Sequence, residues 1–403
     1  MTSMNSSWQT RPTGRRRALA GTMTATLLAI TLVLTGCGAA GAPTDAATSG
    51  SATAASSPAG NSGTSATSGT SASSAADASA DEEPALDLPD PASIEGPSSA
   101  ETVAEIQPIG NPQTPELPVT VTDHDGQDVT IESTDRILAL DLYGTFSDIV
   151  TGLGLGDQLV GRTSSDTSSA MAELPLVTSG GHDLNAEAIL SLRPTVVLAD
   201  TTLGPPEVYD QLRSAGITLV MFDPDRSLET NEDMMARIAQ TLGVPAAGEA
   251  LIERYDAEME AAQARIDAVV PDDEADLVSA AILYVRGTAG IFFVMGSDSG
   301  GDVVESVGAL NSAEQAGITG TKPANAEALA ALNPDVILVM ADGLESTGGL
   351  AGLLERPGVA QTAAGQKQRV VDVPDGQLMS YGPQTPQALV ALAEAVYNPE
   401  GAQ

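Results

Sequence analysis

An eleven-residue phrase stands twice in this chain, 140 positions apart: Asn185 to Thr195 reads NAEAILSLRPT, and Asn325 to Asp335 reads NAEALAALNPD. Six of the eleven positions are identical, and each copy runs straight into a Val-rich apolar stretch. Asn is a good N-cap, the apolar positions after it have helical spacing, and Pro cannot continue a helix. Each copy therefore reads as a capped short helix, a turn and a strand. The competing reading is chance similarity between Ala- and Leu-rich helices, which shared capping rules favour. One unit built twice predicts two similar αβ lobes, and a cleft between two lobes is the usual place for a small ligand.

The amino terminus carries Arg15, Arg16 and Arg17, an apolar run from Leu27 to Leu34, and then Leu34-Thr35-Gly36-Cys37. A charged region, a hydrophobic run and a small-residue cleavage site mark residues 1–36 as an export signal, with the arginines also compatible with the twin-arginine route. The apolar run is too short for a membrane span. Cys37 is the only cysteine and stands where the lipobox of exported lipoproteins places the residue that receives diacylglycerol. In an oxidising compartment a lone thiol has no disulfide partner, so lipidation on the outer face of the cell membrane is the expectation. Residues 37–104, dominated by Ala, Ser, Thr and Gly, read as a disordered tether that cannot offset its ordering entropy by burial.

The 17 basic and 54 acidic residues give a net charge of −37, and loss of the four arginines of the signal takes it to −41. Such a field repels nucleic acid and anionic lipid, which excludes both as partners of the protein surface. Membrane attachment then comes from the two chains of the diacylglycerol, which suffice for stable anchoring. The chain is expected to act as a monomer.

The folded part is α/β, with an N-terminal lobe over 119–229, connecting helices over 230–270 and a C-terminal lobe over 271–403. In the first lobe, two short β-runs flank the turn of VTVTDHDGQDVTI. Strands follow at Arg136 to Leu142, Leu159 to Arg162, Val196 to Ala199 and Ile217 to Phe222, with a helix from about Pro206 to Ala215. Alternation of strands and helices implies a largely parallel sheet. Leu251, Tyr255, Met259, Ala262 and Ile266 recur at spacings of three and four, which predicts one long helix from about Ala246 to Ala268 across the junction. A stiff connector crossed once predicts limited hinge motion. The second lobe has strands at Leu277 to Val285, Ile291 to Met295, Val336 to Met340 and Val370 to Val373, and a last helix from about Pro386 to Tyr397.

Only two histidines exist. His124, in Asp123-His124-Asp125-Gly126, reads as a solvated turn residue. His182 follows Ser179-Gly180-Gly181 at the mouth of the first repeat, where an αβ fold presents ligand contacts, although loop histidines are more often plain surface residues. Tyr284 and Arg286 share one side of a strand by period two. A strand tyrosine usually belongs to the core, yet a cation beside a phenol favours the phenolate, a hard donor suited to ferric iron. One histidine is too few for a closed zinc or manganese site. The loop GSDSGGD at 296–302 lacks the lysine of a phosphate-binding loop and no GxSxG occurs, so an enzyme is not expected.

The segments LDLYGT, LGLGDQLVGR, TSGGHDLNAEAILSLRPTVVLADTTLGP, LYVRG, GGLAGLLERPGVAQTAAG and YGPQTPQAL resemble those of haemin-binding lipoproteins of actinobacterial haem ABC importers, the HmuT-like group. The resemblance covers nearly everything from residue 119 onward. It implies two Rossmann-like αβ lobes joined by a single long helix, a class III periplasmic-binding-protein-like fold. It further implies that ferric haem lies between the lobes, with its iron held by His182 and Tyr284 and with Arg286 close to the tyrosine. Asp183 or a backbone carbonyl would then fix the imidazole tautomer. Tyr143, Arg162 and Lys322 are candidate pocket or propionate contacts. Glu187 and Glu327 occupy the same place in the two repeats. They are either acids favoured by the helix dipole or, as similar lipid-anchored proteins offer, one docking acid per lobe for an ABC permease working with its ATPase subunit. Ser380-Tyr381 departs from the apolar pair expected before Gly382-Pro383, and the role of Tyr381 stays open. A siderophore- or cobalamin-binding protein of the same fold is the alternative.

Overall fold

The computed structural model describes residues 88–110, 113–288 and 290–401. The expected export signal, Cys37 and the first part of the expected tether lie outside the described residues. Strand β1 (Ser98–Ser99) falls within the expected tether and pairs with the second lobe, as set out below. The first lobe opens with the hairpin β2 (Val119–Thr122) and β3 (Asp128–Ile131). His124, in its turn, is exposed and has Nδ1 3.7 Å from Asp223.

After β4 (Ile137–Leu140) and α1 (Thr145–Gly152), a short hairpin of β5 (Thr178–Ser179) and β6 (Asp183–Leu184) precedes α2 (Ala186–Leu192), β7 (Val196–Ala199), α3 (Glu207–Ser214) and β8 (Thr218–Met221). Strands β4, β7 and β8 form a parallel sheet in that order, Ile137 beside Val196 and Val196 beside Thr218. Every residue of β4 and β7 is buried, which explains runs that are apolar throughout instead of alternating. The expected strand Leu159 to Arg162 is reduced to isolated bridges, Ile137 to Leu159 and Arg162 to Leu176. Gly161 interrupts the run, and a glycine weakens a strand that has so few apolar side chains to pack.

Helix α4 (Asn231–Thr241) leads into α5 (Pro245–Val269), 25 residues and so about 37 Å long. Its first half buries Ala247, Leu251 and Tyr255 in the core of the first lobe, and its second half buries Ala262, Ile266 and Val269 in the core of the second. Met259 packs against both cores and marks the boundary. Gly248 permits the close crossing of α4, since a Cβ there would come within 2.4 Å of the Ala239 methyl group.

The second lobe contains β9 (Ser279–Arg286), β10 (Ile291–Val294), α6 (Gly301–Ser306), β11 (Leu310–Asn311), α7 (Ser312–Gln315) and β12 (Lys322–Pro323). It continues with α8 (Ala326–Leu332), β13 (Val336–Met340), α9 (Ala341–Ser346), α10 (Gly349–Leu354), α11 (Ala363–Lys367), β14 (Val370–Val373) and α12 (Thr385–Tyr397). Its seven-stranded sheet runs β1-β14-β13-β9-β10-β12, with β11 also on β9. Pairing is parallel except where β10 meets β9 and β12.

The duplicated phrase folds alike in both lobes. Asn185 Oδ1 accepts from the Ala188 N–H and Asn325 Oδ1 from the Ala328 N–H, at 3.0 and 2.9 Å. Each helix ends on a left-handed residue, Arg193 at φ 48° and Asn333 at φ 33°, directly before the Pro. The strand that follows, β7 or β13, lies inside its sheet.

Ordered structure begins well before residue 104, the expected end of the tether. Strand β1 pairs with β14 in parallel, and Ala100 is buried in the core of the second lobe. Gln377 then fixes the chain by accepting from the Val103 N–H and donating to the Glu101 carbonyl. Beyond it the Glu105 carboxylate accepts from Ser168 Oγ and the Ser169 N–H, and the Ile109 N–H donates to the Gly152 carbonyl, with all three of these partners in the first lobe. Residues 100–109 thus cross the lobe junction, so α5 is not the only crossing. The strap is held by backbone pairing at Ser98 and Ser99, by the buried Ala100 and by the Glu105 carboxylate, none of which needs an apolar periodicity in the sequence.

Candidate functional site

Between the lobes lies a cleft of about 600 Å³, inside the range of small-molecule sites. The alternation of β9 and β10 builds one wall. Tyr284 faces Phe293 across the antiparallel ladder and Arg286 faces Ile291, and these four with Met295 line the cleft. The intervening residues Leu283, Val285 and Val294 point the other way into the core. Met340, Asp342 and Ser346 from the end of β13 and α9, and Asp375, Gly376, Met379 and Ser380 after β14, complete that side. These are carboxyl ends of parallel strands, where open αβ sheets place ligands.

The first lobe contributes Leu142 and Tyr143 after β4, then Ser164, Ser165 and Thr167, and Gly181 and His182. Tyr143 is placed by the buried Asp141 carboxylate, which accepts the backbone N–H groups of Tyr143, Thr145 and Phe146 at 3.2, 3.0 and 3.2 Å. Burial pushes the Tyr143 phenol above its usual range, the nearby Arg226 guanidinium opposing, so this hydroxyl stays protonated. Arg226 is itself buried, 2.6 Å from the Asp200 carboxylate and 4.8 Å above the Phe146 ring. Asp166 organises the serine-rich loop by accepting from the Thr163 N–H at 2.6 Å and from Ser147 Oγ. Burial pushes its carboxyl up to about 6.

His182 sits in the three-residue loop between β5 and β6, half-buried, after two glycines at φ 60° and 90°. Its backbone carbonyl accepts the Gly204 N–H at 3.1 Å, and among the described residues its ring has no hydrogen-bond partner. Asp183 is exposed on β6 and does not line the cleft.

On the facing wall, the Arg286 guanidinium carbon lies 5.3 Å from the Tyr284 ring centroid. The same guanidinium is ion-paired with Asp375 and passes 3.6 Å from Met340 Sδ, while its Nη1 is buried without a partner. The cleft therefore brings together Tyr143, His182, Tyr284 and Arg286.

Arg162 and Lys322 are not brought in. Arg162 turns along its own loop to the Thr163 carbonyl at 3.3 Å, and Lys322 is exposed on the edge strand β12 beside Thr321, which does line the cleft. Arg286 is the one cationic side chain on the wall among the described residues, against the carboxylates of Asp342 and Asp375. Glu187 and Glu327 are exposed in the first turns of α2 and α8, away from the cleft.

Tyr381 lies behind the wall. It is buried at φ 40°, and its hydroxyl donates to Asp302 Oδ1 at 2.7 Å, whose Oδ2 accepts the Leu228 N–H at 2.7 Å. Burial pushes its phenol far up, Asp302 adding to the effect. It thus ties the second lobe to the segment arriving from the first, a role that its sequence position did not indicate. Asp375 was also missed. Its only sequence signal is Pro374-Asp375-Gly376, turn chemistry directly after a buried strand.

Residues 142–376 match a family described as periplasmic binding protein. The heme-binding protein HmuT is a similar solved structure, 47% identical, covering 76% of this chain and 99% of that one with a TM-score of 0.74. Solved variants of it replace one His, one Tyr or one Arg. The periplasmic heme-binding protein RhuT of Roseiflexus sp. RS-1 is 36% identical, covering 67% of this chain and 100% of that one, with a TM-score of 0.60. An uncharacterised ABC transporter substrate-binding lipoprotein, YvrC of Bacillus subtilis (strain 168), is 26% identical over 70% of this chain and 86% of its own. With two αβ lobes around one cleft and more than half of its length matched, the chain belongs to the periplasmic binding protein family.

Proposed function

We propose that this protein is the substrate-binding lipoprotein of an ABC importer, which captures ferric haem between its lobes and delivers it to the membrane permease. The observation that carries this reading is the pair of donors on opposite walls of one cleft, His182 from the first lobe and Tyr284 from the second. Haem is flat and offers one axial position on each face, and imidazole and tyrosine oxygen are both established donors to its iron. Similarity to the heme-binding proteins above supports the same assignment. In HmuT the substituted Tyr and Arg stand two positions apart, as Tyr284 and Arg286 do.

The donor set fits an iron porphyrin better than a bare metal ion. Among the described residues no three His, Cys, Asp or Glu side chains gather into a metal site. Ile291, Phe293, Met295, Met340 and Met379 give the macrocycle an apolar bed. The protonated Tyr143 hydroxyl and the Ser165 hydroxyl offer donors to carboxylates at the rim, while those of Ser164 and Thr167 already donate to the carbonyls of Gly181 and Asp375. Glu187 and Glu327, one per lobe on exposed helix starts, are the acids for docking on permease arginines, and Cys37 is the lipid attachment point.

Titration of the protein with haemin, followed by visible absorption, tests the assignment in wild type, His182→Ala and Tyr284→Ala. Each substitution is expected to change the spectrum of the bound pigment. Three identical spectra would remove both ligands from the account. A siderophore or cobalamin needs no axial pair, so affinity for such a ligand would survive Tyr284→Ala, and a wild type that binds one of these and no haemin would favour that alternative.

A further inference from the structure

We infer that Asp375 is a positioning residue for the ligand-binding phenol, acting through Arg286. Resting on the haem reading above, the inference concerns what keeps the guanidinium beside Tyr284. Arg286 reaches the cleft at the end of β9 with its side chain 31% exposed, so its own strand does not lock it. Asp375 does. One carboxylate oxygen takes Arg286 Nη2, and the other accepts the Asp342 N–H at 3.0 Å at the start of α9.

The aspartate is anchored from both lobes. Its carbonyl accepts from Thr167 Oγ1 of the first lobe at 3.0 Å. Beside it Gly376, at φ 84°, lets the chains approach so closely that a Cβ there would come within 2.6 Å of the same hydroxyl. On its far side Arg286 is confined by Gly343, where a Cβ would stand 2.6 Å from Nη1. The guanidinium therefore has a partner on one edge and a wall on the other, and the Tyr284 ring lies 5.3 Å away. A charge-assisted pair of this kind fixes direction as well as distance. Removing the carboxylate frees a long side chain to leave the ring.

The test is a double-mutant cycle between Asp375→Asn and Arg286→Ala, read by haemin affinity and by the visible spectrum. Because outer-shell partners are typically worth about 10–100-fold, Asp375→Asn is expected to weaken haemin binding by about tenfold and to move the spectrum towards that of Arg286→Ala. Added to Arg286→Ala, it should cost less than about twofold more. Asp375→Glu should recover part of the loss. Losses that multiply, or a wild-type spectrum in Asp375→Asn, overturn the inference. A crystal structure of ligand-free Asp375→Asn gives a readout independent of haem: Arg286 is expected to have left the Tyr284 ring, and finding it in place also overturns the inference. Failure of wild type to bind haemin would sink the functional reading and leave that structural test standing.

Discussion

Tyr284 and His182 meet the same cleft from supports of different kind. Tyr284 stands on β9, which is paired to β13, β10 and β11, and its alternate neighbours are buried in the lobe core. His182 stands in a three-residue loop between two-residue strands, behind two glycines, with no side-chain partner among the described residues. One proposed donor is held by the sheet and the other by a short hairpin. Segments with few fixed contacts open at low free-energy cost, and binding sites draw on them. On the haem reading proposed above, the tyrosine wall is then the preformed half of the site and the histidine wall the half that adapts.

The comparison breaks most directly at Tyr284. Loss of an outer-shell partner costs a metal site about 10–100-fold, so loss of the donor on the preformed wall should cost at least about 100-fold in haemin affinity. Tyr284→Phe separates the oxygen from the ring, and it should behave like Tyr284→Ala in the spectrum. His182→Ala comes next, at about tenfold, because an adaptable donor must spend part of its bond energy on ordering its loop. Equal losses at the two positions would remove the distinction between the walls.

What could be read in advance follows the same division. The β9–β10 wall was legible because a period of two decides which residues share a face, and α5 because its apolar spacing runs unbroken from Leu251 to Ile266. The repeat was legible in the Asn caps, although the left-handed Arg193 and Asn333 were not. His182 and Tyr284 owe their proposed roles to family resemblance, since a loop histidine and a strand tyrosine have commoner explanations. Tyr143 was named with them, whereas Ser164, Thr167, Met340 and Asp375 were not, because loops and strand ends far apart in sequence converge on the cleft, and a local signal such as Pro374-Asp375-Gly376 marks a turn without saying what it faces. The strap through Ser98 to Ile109 was hidden for another reason. Edge pairing to β14 uses backbone groups that every sequence has.

The loop itself can be probed without touching the donor. Gly181 adopts φ 90° and has open space where a Cβ would go, so Gly181→Ala creates backbone strain and no clash. A left-handed non-glycine residue costs about 1–2 kcal/mol, part of which the hairpin relieves by relaxing. Haemin affinity should fall by about threefold to fivefold, chiefly through faster dissociation in stopped-flow measurements, with little change in thermal midpoint. A loss as large as that of His182→Ala would mean that the loop is as preorganised as the strand.

The smallest expected effect on binding concerns Asp166, under the serine-rich part of the same wall. Burial raises its carboxyl from the ordinary 3.8 to about 6, so between those values the folded protein holds a proton that the unfolded chain has lost. Its contribution to stability is fully present below about pH 4 and is lost as the pH rises through about 6. Asp166→Asn cannot ionise and lacks that dependence. The stability of wild type relative to Asp166→Asn should fall between pH 4 and pH 7 by on the order of 1 kcal/mol, measured by urea unfolding of the ligand-free proteins at both values. At fixed neutral pH the two should bind haemin within about twofold of one another, since Asn keeps an acceptor for the Thr163 N–H. A difference in stability that does not vary with pH would show that Asp166 is already ionised in the fold, and the serine-rich loop would then be held by a charged acceptor across the whole range.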